Sequence, residues 1–355
     1  MKKITVIIPT HNEENQIVET LDSIFNQTME VDRVITVCDN CTDNTVPILE
    51  KYENEKLEIF ITKDNKGRKA GALNQCFRSL DIGGYILVMD ADTVLDENCI
   101  LEGAKRLDSD VMLGAVCSRA GILPYTGKGF FKKVLWHLQH IEYGQFDAHR
   151  METEGKIKVV HGMATIFRSD ALKSVIKYRK EAFGIDTDVY LENNLVEDYE
   201  VTLCLKHNWR VATELKMMAW TEVPLSTKEL YVQRLRWLRG GVDTLRLHGI
   251  NKVTLADNLN NVLFGFIMVQ RVIVFLGLIL FLYMYRTFKM SMLVVLVIAY
   301  TYVDSFYRMK YTQNKTFKDY LLKLTFLPEI VYALFQVVIL IQSFIYSFLN
   351  IEQVW

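Results

Sequence analysis

Two carboxylates, Asp90 and Asp92, stand one residue apart directly after the apolar run YILVM. Oxygen ligands at that spacing beyond a strand end suit a hard divalent cation, Mg²⁺ or Mn²⁺. A D-x-D on its own is more often a solvated turn, so its surroundings decide. A second acidic pair, Glu197-Asp198, opens the segment VEDYEVTLCLKHNWRV, whose apolar Val201, Leu203 and Leu205 read as helix. A carboxylate at a helix start is the ordinary choice against the macrodipole, but it can also take a proton from an attacking hydroxyl. Gln233, Arg234, Arg236 and Trp237 lie within five residues. Guanidinium forks match phosphate oxygens, and an indole face packs on a ring while its N–H finds a partner. In NKGRKAGALN, a glycine turn carries Lys66, Arg68 and Lys69 into a helix pattern, a place where phosphates are steadied.

Four apolar runs must position these groups: ITVII, VITVC, EIFI and YILVM, each followed by polar residues. Helical patterns alternate with them, which implies an α/β domain with a mainly parallel sheet. Ligands of such sheets bind at the carboxyl ends of the strands. Those ends are Thr10-His11-Asn12-Glu13, Asp39-Asn40, Lys63-Asp64-Asn65 and Asp90-Ala91-Asp92. Further on, residues 128–150 read as a helix, apolar on one side and basic at its start, as at a membrane interface. His137, His140 and His149 on it lack a metal-ligand spacing. GMATIFRSDAL, 162–172, reads as a loop, a short strand and a helix from Ser169.

The 355 residues carry a net charge of -1, which argues against a nucleic-acid binder. The six scattered cysteines, with Cys38 and Cys41 as the only C-x-x-C, suit a reducing compartment and no metal or redox site. MKKITVIIPT has no leader-like run, so the first 250 residues are expected in the cytosol. After residue 260 the chain turns apolar, with expected spans at about 262–284, 291–307 and 327–349. Gln270 and Arg271 interrupt the first and should face protein or water. The 308–326 connection is richer in Lys and Arg than 285–290, which places it on the cytosolic side. A re-entrant second stretch would leave two crossings. By the same charge rule, Arg239 reads as a residue at anionic headgroups.

IIPTHNEE, CDNCTDNT, NKGRKAGALN and DAD, in that order, resemble the nucleotide-sugar half of family 2 inverting glycosyltransferases of the GT-A (Rossmann-like) fold. V-E-D resembles the T-E-D of processive members, and QRLRW matches their Q-x-x-R-W. The set is most similar to synthases of poly-N-acetylglucosamine, chitin and hyaluronan. The resemblance implies a donor half (1–120), an acceptor half with interface helices (121–250) and a transmembrane region (251–355). It implies an integral protein of the cell membrane that uses a UDP-sugar, chiefly UDP-N-acetylglucosamine, to extend a saccharide processively, as in polysaccharide biosynthesis. It assigns Asp198 as base with Glu197 in support. It gives the donor to Thr10, His11, Glu13, Asp39 (at uracil), Lys69, Asp90, Gln233, Arg234 and Arg236. The acceptor falls to Trp237, Gly162 and Met163, and Mg²⁺ or Mn²⁺ to Asp92 and Asp90. Cys38 stands where members often carry a second aspartate. No apolar segment precedes the domain in this sequence, so the expectation is either a channel completed by a second copy or a partner subunit, or no full channel. The alternatives are transfer of one sugar to a polyprenyl phosphate or other lipid, and a non-catalytic nucleotide-sugar-binding scaffold.

Overall fold

The computed structural model describes residues 2–79, 83–153, 157–185, 188–263, 265, 266, 277, 283, 299, 303, 306–324 and 326–351. Its strands are β1 (Ile4–Thr10), β2 (Arg33–Cys38), β3 (Leu57–Ile61), β4 (Tyr85–Met89), β5 (Thr93–Leu95), β6 (Leu113–Ile122), β7 (Ala164–Arg168) and β8 (Arg210–Thr221). They form one sheet in the order β3-β2-β1-β4-β7-β6-β8-β5. The first four are mutually parallel where they pair; β1, β2 and β4 are apolar runs covered on both faces, whereas β3 at the edge is partly exposed. Ile4, Val6, Ile7 and Ile8 of β1 and all five residues of β4 are buried.

Beyond β4 the sheet becomes mixed, which corrects the mainly parallel expectation. β7 runs antiparallel to both β4 and β6, β8 is parallel to β6, and β5 is antiparallel to β8. Helices α1 (Ile17–Phe25), α2 (Thr45–Lys51), α3 (Arg68–Ser79) and α4 (Cys99–Asp108) connect the early strands. β1 sits between β2 and β4, so the loops after β1 and β4 leave the sheet on either side of a topological switch point, where α/β sheets bind ligands.

The chain divides into two compact units, and the division is nested. The first joins residues 1–123 to 149–222; the second joins 124–148 to 223–355. These units differ from the sequential division expected at residues 120 and 250, because β7 and β8 return to the first sheet. In the first unit, α6 (Ser169–Phe183) and α7 (Glu197–Leu205) pack with the sheet. Helix α5 (Phe130–Glu152) contributes most of its length to the second unit, beside α8 (Thr227–His248), α9 (Phe317–Leu324) and α10 (Phe326–Phe348).

Within α10, Val331–Phe348 is long and apolar enough to cross a bilayer, with 22% of that window buried. It corresponds to the third expected span. The other two expected spans, with Gln270 and Arg271, fall almost wholly outside the described residues. Arg239 is not at a headgroup position: it is 7% exposed, pairs with Asp243 at 3.5 Å and donates to the Ile351 carbonyl.

Candidate active site

The loops at the strand ends are built from residues that tolerate left-handed backbone. Asn12, Asn40 and Asp64, after β1, β2 and β3, have φ of 57°, 49° and 48°. Asn and Asp enter that region more readily than other non-glycine residues, so the chain turns sharply there. Asp39 is buried, and its backbone N–H donates to the Thr10 carbonyl at 2.9 Å. Its Oδ1 accepts from Thr62 Oγ1 at 2.7 Å, Asn65 Nδ2 at 2.8 Å and Asn40 Nδ2 at 3.1 Å. His11 Nδ1 lies 2.6 Å from the Asp39 carbonyl, so it is the donor there. Thr10 Oγ1 donates to Ile8 O at 2.9 Å. Thr10 and His11 therefore brace the Asp39 loop.

Lys69, in the first turn of α3, ties the D-x-D to the second acidic pair. Its ammonium bonds Asp90 Oδ1 and lies 3.4 Å from Glu197 Oε1. Burial opposes that charge, but Asp90 and Glu197 outweigh it and hold Lys69 well above the ordinary lysine range. Gly162 makes the approach possible. A Cβ there would stand 2.7 Å from Lys69 Nζ and 3.0 Å from Asp90 Oδ2. Its carbonyl also accepts from the Asp90 N–H at 3.0 Å. Met163 beside it is buried.

A cavity of about 20 Å³ is lined by Lys69, His161, Gly162, Tyr190, Glu197 and Asp198, among others. Burial and the neighbouring Glu197 push Asp198 up to about 7, against the pull of Lys69 and the Tyr199 N–H. That N–H donates to Asp198 Oδ1 at 2.7 Å. His161 Nε2 donates to the Ser118 carbonyl at 2.9 Å. Burial and Arg150 lower its pKa to about 3, so it is neutral. Behind the acidic pair, Arg179 and Glu200 are fully buried and joined at 2.5 Å. Arg179 also donates to the carbonyls of Asp188 and Val189, which anchors α7 and so fixes where Asp198 sits. A wider depression of about 380 Å³ beside Phe25, Glu30 and Lys56 gathers no such set of groups.

The other side of the D-x-D is acidic as well. Burial, then Asp90, raises Asp92 to about 6, with Glu222 adding to the effect. Burial, then Asp92, Glu222 and Asp90, raises Glu13 to about 7. Carboxylates that raise one another in this way are short of positive charge. Four oxygen-bearing side chains, Glu13, Asp90, Asp92 and Glu222, thus fit a hard divalent cation.

In the second unit, QRLRW lies on α8. Arg234 is 4% exposed at its side chain and pairs with Glu142 of α5 at 2.7 Å. Tyr332 of α10 donates to the same Glu142 Oε2 at 2.7 Å. Arg234 also donates to Gln233 Oε1 at 2.6 Å and lies 4.2 Å from the Trp237 ring centroid. Arg234 is therefore engaged with both Gln233 and Glu142. Arg236, half-buried, has no side-chain hydrogen bond or ion pair among the described residues.

The structure thus brings together Glu13, Lys69, Asp90, Asp92, Gly162, Glu197 and Asp198 in the first unit. Gln233, Arg234, Arg236 and Trp237 share one helix in the second. Sequence reasoning missed Glu222, His161, Tyr190 and Glu142. His161 adjoins GMATIF and was within reach of that signal. Glu222 and Glu142 stand in no motif, and only long-range packing identifies them.

A profile described as "Glycosyl transferase family 2" matches residues 5–176. The poly-beta-1,6-N-acetyl-D-glucosamine synthase of Staphylococcus aureus is 27% identical over 249 residues, 69% of this chain and 56% of that one. The Staphylococcus epidermidis enzyme of the same name is 26% identical over 246 residues, 68% of this chain and 55% of its own. The chain therefore spans little more than half the length of these curated relatives. A mannosyltransferase from Pyrobaculum calidifontis, solved with GDP-Man and Mn²⁺, superposes on 99% of this chain and 88% of its own, with a TM-score of 0.53 and 16% identity. The match takes in β1 to β7 with Glu13, Lys69, Asp90 and Asp92, so residues 5–176 carry a glycosyltransferase family 2 domain.

Proposed function

We propose that the chain is an inverting, membrane-embedded transferase that moves a sugar from a UDP-sugar, foremost UDP-N-acetylglucosamine, onto a saccharide hydroxyl, extending it processively. The carrying observation is Asp198, raised to about 7 beside Glu197 and Lys69 at the carboxyl end of the sheet. A carboxylate near neutrality is suited to take the acceptor proton as oxygen attacks the anomeric carbon from the face opposite the diphosphate. Glu197 holds Lys69 and tunes Asp198. Lys69, Arg236 and Gln233 take diphosphate oxygens, Asp39 the uracil, and Trp237 the acceptor ring; Arg234 braces Gln233 and Trp237 on α8. Asp90 and Asp92, with Glu13, would hold Mg²⁺ or Mn²⁺, which supplies charge neutralisation for the departing diphosphate. The donor assignment leans on the staphylococcal relatives, whose names specify N-acetylglucosamine. The apolar helix α10 and the exposed Phe130 and Phe131 at the start of α5 support a membrane location, with the first unit in the cytosol.

The test is to incubate the chain in lipid with Mn²⁺ or Mg²⁺ and each labelled UDP-sugar, then size the products. Long saccharide supports the proposal. A single sugar on lipid sinks processivity, and no turnover with any donor leaves a nucleotide-sugar-binding scaffold. Asp198→Asn is expected to lower transfer by about 10²–10⁴-fold while UDP binding stays near wild type. Ordinary transfer by that variant would remove Asp198 as base.

A further inference from the structure

His137 and His140 stand at i and i+3 on α5, where side chains share a face. They are 7% and 4% exposed, and Asp319 of α9 is fully buried. Both Nδ1 atoms approach one carboxylate oxygen, Asp319 Oδ1, at 2.6 and 3.3 Å. The other oxygen, Oδ2, is taken by the Thr316 backbone N–H at 2.6 Å and its hydroxyl at 2.9 Å. This is the capping interaction that starts α9, and it leaves Oδ1 for the imidazoles. His140 Nε2 lies 2.6 Å from the Gln313 carbonyl. A carbonyl only accepts, so Nε2 carries the hydrogen. Neutral His140 then aims the Nδ1 lone pair at a carboxylate oxygen. That contact is attractive only if a cation, either a proton or a metal ion, joins the two. His137 Nε2 is buried without a hydrogen-bond partner among the described residues. Trp136 stacks on His140 at 4.7 Å and 27°, which fixes the plane of the ring.

We propose that His137, His140 and Asp319 form a structural divalent-metal site, suited to Zn²⁺, that fastens α9 to α5. Two imidazole nitrogens and a carboxylate oxygen are a zinc donor set, and one such atom from each residue lies within 4.8 Å of the others. Tetrahedral zinc bonds of about 2.0–2.1 Å set ligand atoms about 3.3 Å apart. That is the separation of His140 Nδ1 and Asp319 Oδ1. The 2.6 Å contact of His137 is a hydrogen bond; it opens by about 0.7 Å as the ion takes the place of its proton. Gln313 serves as the outer partner that sets the His140 tautomer, and water fills the fourth position. The nitrogen ligands separate this site from the all-oxygen cluster at Asp90 and Asp92, which favours Mg²⁺ or Mn²⁺.

The test uses the full chain in detergent, stripped with a chelator and titrated with Co²⁺ in excess Mg²⁺. One equivalent of Co²⁺ with tetrahedral absorption, displaced by Zn²⁺, is expected. His137→Gln and His140→Gln should each lose it, and Asp92→Asn should retain it. A wild-type protein without the tetrahedral spectrum overturns the proposal even if the variants fail to fold, leaving a hydrogen-bonded clamp around a protonated His140. A spectrum that persists in both histidine variants overturns it equally.

Discussion

The raised Asp198 makes the pH profile informative. With a pKa of about 7, the ionised fraction is about one eleventh at pH 6 and about ten elevenths at pH 8, so kcat/KM should rise about tenfold between them. Glu197 is the largest raising influence after burial, and it also draws on Lys69. Glu197→Gln removes the first effect and leaves Lys69 freer to favour ionised Asp198. Both changes move the acidic limb to lower pH. A shift of about one unit, worth about 1.4 kcal/mol, would leave the variant at about half its own plateau at pH 6. The assay is initial-rate UDP release across pH 5.5–8.5 at limiting donor, for wild type and Glu197→Gln. Stability has the opposite sign and so cannot imitate the limb. A carboxylate raised on folding contributes stability that is full below its ordinary value of 3.8 and is lost as pH rises through about 7. Unfolding would therefore reduce activity on the alkaline side. A limb that stays in place in Glu197→Gln, or moves up, refutes the tuning of Asp198 by its neighbour.

Asp92→Asn is expected to weaken Mn²⁺-supported UDP-sugar binding by about tenfold or more, measured by titration calorimetry. Equal affinity would remove Asp92 from the metal set. Gly162→Ala should force Lys69 and Asp90 apart and lower turnover by about tenfold to a hundredfold. Unchanged steady-state kinetics would show that the pair simply shifts aside. Glu142→Ala leaves Arg234 buried without its carboxylate, a loss of about 3–5 kcal/mol. Thermal denaturation in detergent should show a clearly lower midpoint, and a midpoint within a degree of wild type would refute the pairing as an anchor.

The parallel half of the sheet was legible because each buried strand there is an unbroken apolar run ending in polar residues. So was the start of α7 at Glu197, where acidic residues favour a helix N-terminus. The reversal at β7 was not legible, since ATIFR reads the same in either direction. The partners of Arg234 and His140 were equally hidden. Glu142 is 92 residues from Arg234, and Asp319 is 179 from His140, so local periodicity carries no trace of either pair. Spacing on one helix gave no sign of Asp319 beside His137 and His140, because that carboxylate comes from another helix. Arg239 was misread for a related reason: composition reports charge, and only packing reports which charges are covered.

The nesting of the two units bears on how the chain is made. Among the described residues all eight strands lie before residue 222, and synthesis proceeds from the N-terminus. The catalytic sheet can therefore close while α8, α9 and α10 are still being translated. Helix α5 leaves the ribosome earlier still, ahead of β7 and β8. Its exposed Phe130 and Phe131 would be available to a bilayer surface before the sheet is complete. The middle of the sequence is thus exposed to its surroundings before the sheet is complete, and the sheet before the apolar helix α10 is made.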